Sequence, residues 1–152
     1  MSKHLKNSSE EQMKIDTAFL NRCIQTLNEA QTLLQTVEPE SIQYEMYRSA
    51  CVKEFEIILE QSGKLLKKAL TPYMHSTRAV NKLFFKDVFR QAAQYELITL
   101  EEAERWLVYR DNRNNLAHDY GVEFADKTLS LLPAFIKDAR LLECMLREHE
   151  YD

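Results

Sequence analysis

Glycine and proline are nearly missing from this sequence, with 2 and 3 copies in 152 residues. An all-β fold, with a turn every 8–12 residues or so, has little to turn on, and a glycine-rich phosphate loop is excluded. Long apolar runs are also lacking. None approaches the roughly 20 residues that cross a bilayer, and the polar start Met1–Ser9 has no apolar signal segment. Cysteine is sparse and odd in number: Cys23, Cys51 and Cys144 lie far apart with no CxxC pair, which predicts reduced, buried thiols in a cytoplasmic protein. The four histidines, His4, His75, His118 and His149, are scattered, so no metal site and no cofactor are expected.

What remains is ordinary globular material, 45% hydrophobic and 29% charged, long enough to bury one core. The net charge of −4 hides an asymmetry. Residues 63–90 carry Lys64, Lys67, Lys68, Arg78, Lys82, Lys86 and Arg90 against Asp87 alone, while both flanks are acidic. This block is either a surface for phosphate or an acidic partner, or a solvated helix face.

The apolar periodicity is helical throughout. Ser9 with Glu10 and Glu11 reads as a helix start. Leu20, Cys23, Leu27, Ala30, Leu34 and Val37 then form one seam, which Glu38-Pro39 ends. Ser41 opens a second helix whose seam runs Tyr44, Tyr47, Cys51, Phe55, Ile58, Ser62, Leu65 and Ala69, stopping near Thr71-Pro72. Pro72–Val80 reads as a loop. A third helix is predicted from about Asn81 to Tyr95, with Phe84, Phe85, Val88, Phe89 and Ala92 inward. Thr99 and Glu102 have capping-box spacing for a fourth helix, which Gly121 would cap. A fifth fills Val122 to about Glu148, with a bend expected at Pro133. The architecture predicted is all-α, an antiparallel bundle of four to five helices.

The fourth helix contains an anomaly. Leu100, Ala103 and Leu107 predict an inward line continuing through Arg110, Asn114 and Ala117, but Arg110–Asn115 are six polar residues in a row. At 3.6 residues per turn these cover every face. Their Asp and Asn residues cost about 0.6 kcal/mol each relative to Ala, roughly 2–2.5 kcal/mol together. Either the helix ends at Arg110 and an Asn-rich loop follows, or it continues and lines a polar cleft or subunit interface. Asn114 and His118, four apart, share a face, and the long Arg113 side chain reaches toward it. Arg, Asn, His and Tyr120 together suit a phosphodiester, because Arg grips phosphate oxygens and His moves protons near neutral pH.

Arg113-Asn114-Asn115-Leu116-Ala117-His118-Asp119-Tyr120 resembles the R-x4-H-x-Y signature of HEPN domains, helical partners of minimal nucleotidyltransferases. The chain is most similar to the nucleotidyltransferase substrate-binding branch, related to the HepT toxins. Phe55-Glu56, Glu60, Lys64 and Lys67 resemble that branch's F-E-x3-E-x3-K-x2-K helix. Asp87–Ala92 through Leu97-Ile98 resembles its next helix, and Trp106 precedes the signature as in the family. Gly63 departs from it, standing where a bulky aromatic is expected.

The resemblance implies a single HEPN-like bundle over residues 10–150, after a flexible stretch 1–9, forming a homodimer. It implies a toxin of a toxin–antitoxin pair that cleaves RNA without a metal. Arg113 would hold the scissile phosphate, His118 act as general base or acid, and Asn114 orient His118 or contact phosphate. Tyr120 would be the site at which a cognate nucleotidyltransferase, the antitoxin, attaches AMP. Lys64, Lys67, Lys68, Lys82, Lys86, Arg90 and Arg110 would form the RNA track or the transferase's docking face. The alternative is a non-catalytic subunit that presents substrate to the transferase, and a third reading has Arg113, Asn114 and His118 only satisfying one another across an interface.

Overall fold

A computed structural model describes residues 14–118 and 122–149, apart from the side chains of 115–118 and 122–124. Among the described residues it is all-helical, with no strand. The helices are α1 (Ala18–Leu34), α2 (Ile42–Leu70), α3 (Thr77–Asn81), α4 (Phe85–Gln94), α5 (Leu100–His118) and α6 (Val122–Glu148). No described helix is long and apolar enough to cross a membrane.

The 29-residue α2 is the spine, with α1, α4 and α6 packed around it. Ser41 starts α2 as expected, its Oγ accepting from the Tyr44 amide at 3.1 Å. Of the predicted seam, Cys51, Phe55, Ile58, Ser62, Leu65 and Ala69 are buried, while Tyr44 and Tyr47 are only half-buried. The α1 seam is buried from Leu20 through Cys23, Leu27 and Ala30 to Leu34, but the helix ends there, leaving Val37, read as its last member, half-buried beyond it. It starts at Ala18 after the non-helical residues 14–17 rather than near Ser9, and Ser9–Glu11 themselves lie outside the described residues. α1 is tied to the far end of the chain instead. Thr17 Oγ1 donates to Glu143 Oε1 at 2.9 Å, and Arg147 holds the same oxygen at 3.1 Å.

Two expectations between α2 and α4 need correction. Pro72–Val80 is not a plain loop: Thr71–Tyr73 form a 3₁₀ turn, and Ser76 caps α3, which buries Val80. The third predicted helix begins at Phe85 rather than Asn81. Phe84 is therefore the residue before the helix, has extended backbone, and is 80% exposed instead of inward.

α5 begins with the predicted capping box. Thr99 Oγ1 accepts from the Glu102 amide at 3.1 Å, and Glu102 Oε1 accepts from the Thr99 amide at 3.3 Å. Its inward line is not the one expected. Ala103, Trp106, Tyr109 and Asn112 are buried, whereas Leu100 is 68% exposed. Steps of three turn about 60° backward around a helix each time, so this line winds from one neighbour to the next. It suits a helix wedged between α4 and α6. Trp106 stacks on Phe89 of α4 at 4.9 Å, and Tyr109 meets Phe135 of α6 edge-on at 5.0 Å. The α6 helix continues through Pro133.

Candidate functional site

The polar run of α5 stays helical. The helix extends from Leu100 to His118 without a break, so Arg110–Asn115 are not a loop. Neighbouring helices engage the first three of the six polar residues, each differently. Asn112 is buried between α5 and α6, donating from Nδ2 to Thr128 Oγ1 at 2.8 Å. Asp111, on the outer face, takes Lys86 of α4 at 2.7 Å. Arg110 turns back over α4 and lies 4.9 Å from the Phe85 ring centroid.

Arg113 is half-buried and Asn114 exposed, one turn beyond Arg110. The backbone of His118 closes the helix; its side chain, and Tyr120 altogether, lie outside the described residues. At three residues' spacing Arg110 and Arg113 are neighbours on one face. Burial lowers the Arg110 guanidinium below its usual value, and repulsion from Arg113 lowers it further, while Glu60 acts in the opposite direction.

The basic block divides. Lys64 and Lys67 on α2 and Arg110 on α5 converge on one open groove of about 260 Å³, shared with Glu60, Gly63, Phe85 and Val88. Lys86 is engaged by Asp111 instead, and Arg90 sits 3.7 Å from Asp87 on its own helix. Exposed pairs of this kind stabilise by about 0–1 kcal/mol. Lys68 and Lys82 are exposed and do not line the groove. Lys68 and Lys67 also lie in the last turn of α2, where cations complement the helix dipole.

Gly63 proves to be part of this site. A Cβ there would sit 2.9 Å from Phe85 Cδ2, so the ring of Phe85 fills the space that the missing side chain leaves. Phe85 in turn packs on Phe89 at 4.7 Å. A row of rings thus runs from the groove through Phe89 and Trp106 to Phe135 and Phe55. The sequence carries no signal for the Phe85–Gly63 pairing, and nothing in it distinguishes Asn112 from its polar neighbours.

Among the described residues no three His, Cys, Asp or Glu side chains are gathered to hold a metal. The arrangement offers guanidinium and ammonium groups beside one helix, which bind phosphate oxygens.

Residues 16–148 match the family described as nucleotidyltransferase substrate binding protein like. A protein of Haemophilus influenzae named probable ribonuclease HepT is 30% identical over 117 residues, spanning 76% of this chain and 78% of that one. A solved structure from Haemophilus influenzae, described as having the fold of a substrate binding domain of a nucleotidyltransferase, superposes with a TM-score of 0.75. It is 24% identical and covers 88% of this chain and 100% of its own. A Thermus thermophilus structure gives 0.67, at 24% identity, over 85% of this chain and 99% of its own.

Proposed function

The chain belongs to the nucleotidyltransferase substrate binding protein like family, within the HepT-like HEPN proteins, and from that premise we propose that it is an endoribonuclease toxin partnered with a minimal nucleotidyltransferase. The observation that carries the reading is the unbroken α5: a helix maintained through Arg110–Asn115 keeps Arg113, Asn114 and His118 in register on neighbouring faces. A helix this rich in Asn and Asp is costly to form, which favours a use for those side chains. The relative named as a probable ribonuclease supports the same chemistry.

In the proposed reaction His118 removes the proton from a ribose 2′-OH, and the oxygen attacks the adjacent phosphorus. The bond to the 5′ oxygen breaks, that oxygen takes a proton from water, and a 2′,3′-cyclic phosphate and a 5′-OH result. Arg113 holds the phosphate and meets the charge that grows on its oxygens. Asn114 orients His118. A homodimer would bring two copies of the signature together, and AMP attached to Tyr120 would silence the site.

A second reading is favoured by the family's description: a non-catalytic subunit that presents substrate to the transferase. Incubating purified protein with cellular RNA in excess EDTA separates the two. Cleavage is expected from the parent and is lost in Arg113→Ala and His118→Ala proteins of equal helicity. Cleavage by neither parent nor variants, with Tyr120 unmodified by mass, selects the substrate-presenting subunit. Cleavage by all of them places the activity elsewhere.

A further inference from the structure

The groove between α2 and α5 carries more than the signature explains. Three cations line it, and among the described residues none of the three is within ion-pair distance of a carboxylate. The Arg110 guanidinium carbon lies 4.9 Å from the Phe85 ring centroid, a cation–π contact that holds the side chain over α4. Phe85 is itself held by Phe89 and by the notch at Gly63. The groove, of about 260 Å³, has room for a phosphate group.

We propose that this groove is a second phosphate subsite for the RNA strand, in which Lys64, Lys67 and Arg110 hold the phosphodiester next to the one at Arg113. The inference rests on the proposed RNA substrate, and it extends the strand's path from α5 onto α2. Arg110 and Arg113 lie on successive turns of one face, so consecutive phosphates of a single strand meet them in order. Glu60 on the groove wall repels phosphates and peptide carboxylates alike, but it accepts hydrogen bonds from a ribose hydroxyl or a base amino group. Lys86 and Arg90, each beside an acid, are outside the subsite.

The test is binding of a fluorescent single-stranded 12-nucleotide RNA to full-length His118→Ala protein in EDTA, read by anisotropy across a salt series. Adding Lys64→Glu and Lys67→Glu is expected to weaken binding at least tenfold and to lower the log–log salt slope by about 0.7 for each phosphate no longer neutralised. The same charge change at the exposed Lys53 and Lys137 is expected to alter affinity less than twofold. A measurement on the unsubstituted lysines guards against misfolding: RNA should protect Lys64 and Lys67, but not Lys53, from acylation. Equal weakening by both pairs, or equal acylation of all three lysines, would overturn the subsite. So would unchanged RNA affinity in a Lys64→Glu/Lys67→Glu protein that no longer captures the transferase, which makes the groove a protein-docking face. Groove-dependent binding without cleavage by the parent leaves the subsite standing and removes the nuclease. Cleavage by the parent with no groove dependence does the reverse.

Discussion

Arg105 and Asp138 meet fork to fork, Nε to Oδ2 at 2.8 Å and Nη2 to Oδ1 at 2.9 Å, bolting α5 to α6 three turns before the end of the polar run. The Tyr109 hydroxyl donates to the same Oδ2 at 2.5 Å. Asp138 is almost fully buried, while Arg105 is nearly half exposed. The two ends of this pair are therefore unequal. Water can replace an exposed guanidinium, but nothing replaces an acceptor beside a buried phenol.

Removing the acid is accordingly predicted to cost more than removing the base. Asp138→Ala should lower unfolding free energy by about 2–4 kcal/mol, since it leaves Tyr109 without its partner. Arg105→Ala should cost about 1–2 kcal/mol, the worth of charge-assisted bonds at a half-wet site. Urea unfolding followed by circular dichroism measures both, and the reverse order would show that Arg105 is the anchor.

The cysteines make a second prediction. Burial raises the thiols of Cys23 and Cys51 from 9.0 to about 11, helped at Cys23 by Glu54. At pH 8 the folded protein should react with a thiol reagent at the half-buried Cys144 alone, and at all three in denaturant. The folded state holds these protons more tightly than the unfolded one, so their contribution to stability is complete below pH 9 and is lost as pH rises toward 11. Burial and the bond to Asp138 raise the Tyr109 hydroxyl as well, which steepens the loss above about pH 10, where an unfolded tyrosine ionises. Chemical unfolding at a series of pH values from neutral to strongly alkaline checks the trend; flat stability would contradict it.

A third prediction concerns the end of α4. Leu97 N–H bonds to Ala92 O at 2.9 Å and Glu96 N–H to Ala93 O at 3.0 Å, the paired hydrogen bonds of a Schellman cap. The left-handed position in it, φ 62°, is occupied by Glu96 rather than glycine. Such a conformation costs an L-residue roughly 1–2 kcal/mol, part of which glycine loses again through its freer unfolded chain. Glu96→Gly should therefore raise the stability by about 0.5–1 kcal/mol, read as a higher melting temperature. A lower one would mean that the Glu96 side chain holds something the cap does not require.

Much of the fold is legible because its signals are local. The Ser41 cap and the Thr99–Glu102 box involve partners within four residues and stand where the sequence places them, as do the seams of α1 from Leu20 to Leu34 and of α2 from Cys51 to Ala69. The start of α4 escapes such a reading because Phe84 and Phe85 are equally apolar, and only one of them is inside the helix. For the candidate site, the sequence identifies the residue types around Arg113 but not their division of labour. Lys64, Lys67, Lys86 and Arg90 look alike in a charge count, yet two line a groove and two stand beside acids.

The sequence by itself determined that this chain is helical, where α2, α5 and α6 begin, where α2, α4 and α6 stop, and which signature it carries, since hydrogen bonds and apolar periodicity of that range are written in adjacent residues. Tertiary structure alone decided that Trp106 and Tyr109, not Leu100, turn inward, that Asn112 is pinned to Thr128, and that Phe85 covers Gly63 beneath Arg110. Those outcomes depend on which surface of another helix, 16 residues or more away in the chain, arrives opposite, and no local rule contains that information.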